Sequence, residues 1–302
     1  MKWEKMGCII PPQADTPWLE KKASACYVTV PNDEIFRIYV TGRDRSNVSR
    51  IGLVDINRRT LGIQKVHEQP VLDIGEIGTF DESGVSYPWI VTYNGLDYLY
   101  YVGWVAGTKA GYKNAVGLAT GSLQSDYTRY SRAPILPSTR EEPFDTGSVA
   151  VLVEDGIWKM YYTMFEGREA IKESFKSYYK VKYATSEDGY TWNRPGITCI
   201  DFKDDQEFAI CKPMILKENG CYRMWYSYSA GAYRIGYAES IEGQHWIRYD
   251  DERGLLTTDT GWDSEMVEYA FVLRLEDAYY MFYNGNGYGE TGLGVAVSEE
   301  GI

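Results

Sequence analysis

Four short segments place acids where they could do chemistry. TFDESGVSYP holds Asp81, EEPFDTGSV holds Glu142 and Asp145, QEFAICKP holds Glu207 and Lys212, and GWDSEMVEYA holds Asp263, Glu265 and Tyr269. In Phe80-Asp81, Phe144-Asp145 and Trp262-Asp263 an aromatic side chain directly precedes an acid. An apolar neighbour disfavours the charged carboxylate, raises its pKa and suits it to donate a proton. A second carboxylate at suitable range then activates water or attacks carbon. The same Asp residues can instead cap turns by bonding nearby backbone. The candidates for acid, base or nucleophile are Asp81, Asp145, Glu142 and Glu265. The loops VTGRDRSNVSR and YNGNGYGETG add Arg43, Asp44 and Asn47, and Asn284, Asn286 and Tyr288, with Trp104 as a stacking surface. Arg43, Asp44, Asn47, Glu207, Lys212, Tyr269 and Asn286 form the expected ligand-binding set.

Other chemistries have little to stand on. His67 and His245 are the two histidines, so neither a histidine-rich metal site nor a Ser-His-Asp triad is expected. There is no GxxxxGK[ST] phosphate loop, and GNGYGETGLG lies between two strand-like runs. No cofactor and no metal are therefore expected. The net charge of −12 argues against a nucleic-acid face, which would need a basic stripe. No run approaches the roughly 20 apolar residues that cross a bilayer, so no membrane association is expected. The first residues lack the apolar core of a secretory signal. Five cysteines without a CxxC pair read as reduced, buried thiols of a cytoplasmic protein.

The elements that must position these acids are visible as a repeat. IGLVDIN (51–57), VGLATGS (116–122), VKYATSEDG (181–189), IGYAESIEG (235–243) and LGVAVSEEG (293–301) each alternate apolar and small residues, most of them breaking into a polar Gly turn. Before each lies an aromatic run: IFRIYV, YLYYVGW, WKMYYTMF, YRMWYSY and YYMFYNG. Ahead of those come ACYVTV, PWIVTY, VAVLVE, PMILKE and AFVLRLE. After three of the motifs an aromatic, a spacer and Arg lead to a short apolar end: Tyr127-x-Arg129, Trp192-x-Arg194 and Trp246-x-Arg248. With 27 Tyr, 9 Trp and 30 Gly, the chain is rich in strand and turn formers. Four antiparallel strands recurring at this period spell an all-β, five-bladed β-propeller in a single domain over residues 1–302.

The fifth unit lacks its outermost strand, and the chain opens on KWEKMGCII, in which Trp3-x-Lys5 matches Trp192-x-Arg194. Residues 2–10 are therefore expected to complete the last blade, covering an edge that would otherwise be exposed. Ser186-Glu-Asp188-Gly189 and its echoes at 240–243 and 298–301 are expected to be structural turns between third and fourth strands.

Together YATSEDGYTWNRP, YAESIEGQHWIRY and the aromatic strands resemble the five-bladed propeller glycoside hydrolases. Those include the arabinanase and xylosidase, invertase and levansucrase, and mannoside phosphorylase groups. The resemblance covers essentially the whole chain. It implies that the innermost strands line a funnel and that carboxylates at their starts cleave a glycosidic bond of a small or activated sugar. A glycoside phosphorylase, with Arg43 and Lys212 gripping phosphate, and a non-catalytic carbohydrate-binding propeller are the alternatives on this fold. In the arabinanase and invertase groups the first blade supplies an Asp near its inner strand. Here that region reads QADTPWLEKKASACYV, and Asp15 and Glu20 stand in no such motif. Either the base then comes from another blade, as Asp44, Asp81 or Glu265, or the chemistry differs.

Overall fold

A computed structural model describes residues 1–107, 109–122, 125–171 and 174–299. The molecule is all-β and propeller-like. Strand β1 spans Glu4–Ile10. Then come β2 (Lys22–Asn32), β3 (Ile35–Arg43), β4 (Ser49–Asn57) and β5 (Ile63–Val66). The next four are β6 (Gly84–Tyr93), β7 (Leu96–Ala106), β8 (Tyr112–Ser122) and β9 (Ser125–Arg129). They are followed by β10 (Thr146–Glu154), β11 (Ile157–Ile171), β12 (Ser174–Ser186) and β13 (Thr198–Ile200). A fourth group holds β14 (Ala209–Glu218), β15 (Cys221–Ser229), β16 (Tyr233–Ser240) and β17 (Ile247–Arg248). The last strands are β18 (Glu268–Leu275), β19 (Ala278–Asn284) and β20 (Leu293–Ser298).

Within each group consecutive strands pair antiparallel. Asn94-Gly95, Asp155-Gly156 and Asn219-Gly220 turn the first hairpins of the middle groups with both residues at positive φ. That is the turn whose twist suits a tight hairpin. Strand β1 lies antiparallel against β20, Glu4 opposite Val297 and Ile10 opposite Leu293. The first strands of the groups lie side by side in the order β2, β6, β10, β14, β18, and β18 also contacts β2. The predicted polar turn at 298–301 runs outside the described residues. Its two counterparts close as expected. The Ser186 hydroxyl accepts the Gly189 N–H at 2.9 Å, and Asp188 accepts those of Tyr190 and Thr191.

Each first strand is interrupted by a register shift near its start, between Ser24 and Cys26, Ser86 and Trp89, Thr146 and Val149, Cys211 and Met214, and Glu268 and Phe271. At four of these bulges the backbone turns left-handed, at Ala25, Tyr87, Lys212 and Tyr269. Such φ values are costly for bulky residues and persist where the surroundings enforce them. Here polar side chains of the preceding group, on its second strand apart from Ser148 on β10, do so. Thr41 Oγ1 accepts from Tyr87 N (3.0 Å), Thr163 and Ser148 hydroxyls from Lys212 N, Ser227 Oγ from Tyr269 N (2.8 Å), and Asn284 Oδ1 from Ala25 N (2.9 Å). These bonds satisfy bulge N–H groups that have left the ladder and tie neighbouring groups together.

Candidate functional site

The recurring acid ahead of the first strand of the second to fifth groups is engaged in a structural cluster. Asp81 accepts hydrogen bonds from Tyr101 (3.0 Å), Arg129 Nε (2.7 Å) and Thr79 (2.8 Å). Glu142 accepts from Tyr162 (2.8 Å) and Arg194 (3.1 Å), with Lys182 at 3.5 Å. Glu207 takes both terminal nitrogens of Arg248 at 2.7 Å, and Arg248 also binds Asp250, the acceptor of the Tyr226 hydroxyl. Asp263 accepts from Tyr283 (2.9 Å) and Lys5 (2.6 Å). Burial opposes ionisation of Asp263, but Lys5, Thr258 and Tyr283 outweigh it and hold the carboxyl below its ordinary value. The cation in every case is the basic residue of the outer-strand motif. In the first group the corresponding places hold Leu19 and Val40, both fully buried.

The aromatic before the acid belongs to the same arrangement. Phe80 stacks on Tyr101 with ring centroids 6.0 Å apart, and Trp262 lies 5.1 Å from Tyr283. The glycine opposite the tyrosine, Gly117 or Gly294, leaves room for these rings: a Cβ on Gly117 would stand 2.5 Å from Tyr101. The aromatic-acid pairs at Asp81 and Asp263 are thus parts of these clusters. Each acid is buried because it is bonded to a phenol and a cation, and the aromatic packs over that bond.

The remaining expected residues separate in space. Asp145 is buried, receiving Arg168 at 2.6 Å and the Asn114 N–H at 3.0 Å. Asp44 closes its own loop, accepting from Val48 N and Arg50. Asn286 Oδ1 accepts the N–H groups of Glu265 and Met266, and Glu265 itself is exposed. Lys212 is fully buried, its Nζ 5.7 Å from the Trp89 ring centre and without a hydrogen-bond partner among the described residues. Burial lowers that ammonium to about 8, against the fields of Cys26 and Cys211. The structure thus does not bring Asp81, Glu142, Asp145 and Glu207 to one point.

What the bulges do bring together is a central cavity of about 500 Å³. Arg43, Asn47 and Tyr269 of the expected binding set line it, beside Lys22, Ser24, Ser86, Trp104 and Asn114. Its aromatic wall consists of Tyr87, Tyr112, Tyr179, Tyr233, Tyr269 and Tyr288. The hydroxyls of Tyr179 and Tyr233 bond each other across it. A smaller hollow beneath shares Tyr87, Tyr179 and Tyr269 and reaches Ser148, Thr163 and Cys211. A wider hollow of about 820 Å³ beside Trp3, Arg58 and Tyr280 contains no first-strand residue.

Behind the Tyr269 side of the wall stands Glu268, fully buried. Asn284 Nδ2 approaches Oε1 at 3.4 Å, while Oε2 has no hydrogen-bond partner among the described residues. Burial pushes its carboxyl up to about 8, outweighing Asn284, the Tyr269 hydroxyl and the field of Lys22, which favour the anion. Glu268 is therefore an uncharged acid at neutral pH, next to a cavity-lining phenol. Sequence reading passed over it because it lies inside the strand rather than ahead of it. A signal was present: its counterparts are Ser24, Ser86, Gly147 and Cys211, all small, and VEYAFV puts an acid among apolar residues.

With this geometry established, comparison places the molecule. No family model matches the chain. Two Mycobacterium tuberculosis proteins, Rv1502 (strain ATCC 25618 / H37Rv) and MT1551 (strain CDC 1551 / Oshkosh), both described as uncharacterized, are 32% identical over 304 residues, covering 99% of this chain and 100% of theirs. The chain belongs to their family. Its fold is shared with glycoside hydrolase propellers. The BT0996 RGII complex superposes at a TM-score of 0.78, with 18% identity, over 99% of this chain and 93% of that protein. A member of the GH130 family of mannoside phosphorylases, described as containing glycoside hydrolases for β-1,2 mannosidic linkages in Candida mannan, gives 0.70 with 16% identity over 98% and 93%. The GH43_1 enzyme of Xanthomonas citri complexed with xylose gives 0.65 with 14% identity over 97% and 89%.

Proposed function

We propose that the chain is a glycoside-cleaving enzyme on a five-bladed propeller, closed by residues 2–10 as the outer strand of the last blade. The observation that carries the reading is Glu268, a fully buried carboxyl with one unbonded oxygen behind the Tyr269 phenol of the cavity wall, where burial pushes its pKa up to about 8. Tyr269 gives its proton to the departing glycosidic oxygen and recovers one from Glu268. Burial holds the Tyr269 phenol far above its ordinary pKa and disfavours a phenolate, so the Glu268 proton moves to Tyr269 as the phenol proton leaves. Water supplies the group that replaces the departing oxygen; Glu265, the expected base, is exposed and does not line the cavity, its backbone being held by Asn286 on the loop that brings Tyr288 there. The tyrosine rings and Trp104 offer stacking faces for the sugar, and Asn47 and Asn114 bind its hydroxyls.

A panel of aryl glycosides, assayed with and without inorganic phosphate, tests this. General acid catalysis contributes about 10²–10⁴-fold, so Glu268→Gln and Tyr269→Phe should each lower kcat into that range. For an acid that acts protonated, kcat/KM should fall above about pH 8. Wild-type protein that turns over no member, or a Glu268→Gln variant as active as wild type, would refute the assignment.

A further inference from the structure

We propose that the sugar taken by the central cavity carries an anionic substituent, a carboxylate or a phosphate ester, and that Arg43 reads it. The inference rests on the glycoside reading and names the substrate class of the same cavity. It comes from how the arginines are used. Arg37, Arg50, Arg129, Arg168, Arg194, Arg223 and Arg248 are each half-buried or more and each sits within 3.1 Å of an Asp or Glu oxygen. Partly buried Arg234 also has no ion pair but donates to the Tyr233 and Glu265 carbonyls, whereas Arg43 lines the cavity and forms no ion pair among the described residues. One terminal nitrogen donates to Asn47 O at 2.9 Å, and the guanidinium lies 5.3 Å from the ring centre of Trp104. Trp104 is itself fixed by donating from Nε1 to Ser49 at 2.8 Å.

A guanidinium lying over an indole ring, with most of its five donors uncommitted, is organised for bidentate binding of an oxyanion. The surrounding charge agrees. The molecule carries −12, yet no Asp or Glu lines the cavity among the described residues. Lys22 adds a second cation, shared with the largely exposed Glu290 at 3.1 Å. The carboxyl behind the wall, Glu268, is uncharged at neutral pH and does not offset them. A neutral sugar would leave Arg43 opposed only by the field of Asp44, a carboxylate that Arg50 already engages, in a site that burial makes unfavourable for its charge.

Matched pairs test the idea: 4-nitrophenyl glucuronide against glucoside, galacturonide against galactoside, and 6-phosphate esters against the parent glycosides. Binding is followed by titration calorimetry at two salt concentrations and turnover by nitrophenol release. At least one acidic member should bind tenfold or more tightly than its neutral partner, less so at high salt. Carboxylate and phosphate arms identify which anion is read. Arg43→Met should bring the ratio close to one, and Arg43→Lys should retain part of it, with unchanged melting curves showing that both fold. Equal affinity for acidic and neutral members would overturn the proposal while leaving glycoside cleavage intact. Free inorganic phosphate that accelerates cleavage of a neutral member, with no preference for acidic ones, would overturn it too, by making the oxyanion a co-reactant. Binding of no member at all would remove the glycoside reading together with this one.

Discussion

Replacing Glu268 by Gln should stabilise the protein while disabling it, and the size of the gain should depend on pH in a defined way. The ordinary carboxyl value is 4.5, and burial raises it to about 8 in the folded chain. Below pH 4.5 both folded and unfolded chains hold the proton, and Glu268 costs nothing through ionisation. Between 4.5 and 8 the unfolded chain releases it and the folded chain does not, so stability falls as pH rises. The slope is about 1.4 kcal/mol per pH unit, which accumulates to about 3 kcal/mol at pH 7 and levels off above 8. Gln keeps the shape and the Asn284 contact and has no proton to lose. The measurement is the denaturant midpoint of wild type and Glu268→Gln from pH 5 to 8. The two curves should lie close at pH 5 and separate steadily towards pH 8, the variant being the more stable. A constant difference across that range, or a less stable variant at pH 8, would show that the Glu268 carboxyl is not held neutral, and proton donation through Tyr269 would go with it.

Two further outcomes follow from the repeated clusters. Arg129→Met leaves Asp81 buried without its cation and should cost about 3 kcal/mol, the range for removing one partner of a buried pair; adding Asp81→Leu and Tyr101→Phe, which imitates Leu19 and Val40 of the first group, should recover most of the loss in the same denaturant titration. Deleting residues 1–10 removes buried Ile9 and Ile10, worth roughly 2 kcal/mol each, and strips Asp263 of Lys5, so the thermal midpoint should drop markedly; an unchanged midpoint would mean that β1 does not secure β20.

The fold was legible because its signals are local. Asn94-Gly95, Asp155-Gly156 and Asn219-Gly220 announce hairpins by themselves, and the strand alternation around them needs no partner to be seen. Trp3-x-Lys5 could be matched to Trp192-x-Arg194 because the repeat requires a cation there, and Lys5 does meet Asp263. The site was legible in part. Arg43, Asn47 and Tyr269 reach the cavity, but Asp81, Glu142 and Glu207 do not line it. Their recurrence drew attention to them, and recurrence is what a structural device produces. The bulges were hidden for a different reason. A left-handed Tyr87 or Tyr269 has no sequence signature, since its conformation is imposed by Thr41 or Ser227 of the neighbouring group.

In a repeat fold, residues that recur in every unit answer to the unit, and function must be sought where the pattern breaks. The acid, phenol and cation recur from the second group to the fifth, and the first group replaces acid and phenol by Leu19 and Val40 without losing its core. By contrast, the position occupied by Ser24, Ser86, Gly147 and Cys211 becomes Glu268 once. The position equivalent to Trp104 on the second strands varies from group to group and is cationic only at Arg43, whose guanidinium lies 5.3 Å from the Trp104 ring centre of the neighbouring group. A buried carboxyl with an unbonded oxygen and an arginine without an ion pair are both unfavourable for stability. Nothing in the architecture requires either residue, since the other groups form the same bulge or loop without it. The proposed sugar accounts for groups that the fold does not need and that burial penalises: Arg43 lines the cavity, and Glu268 stands behind Tyr269 of its wall.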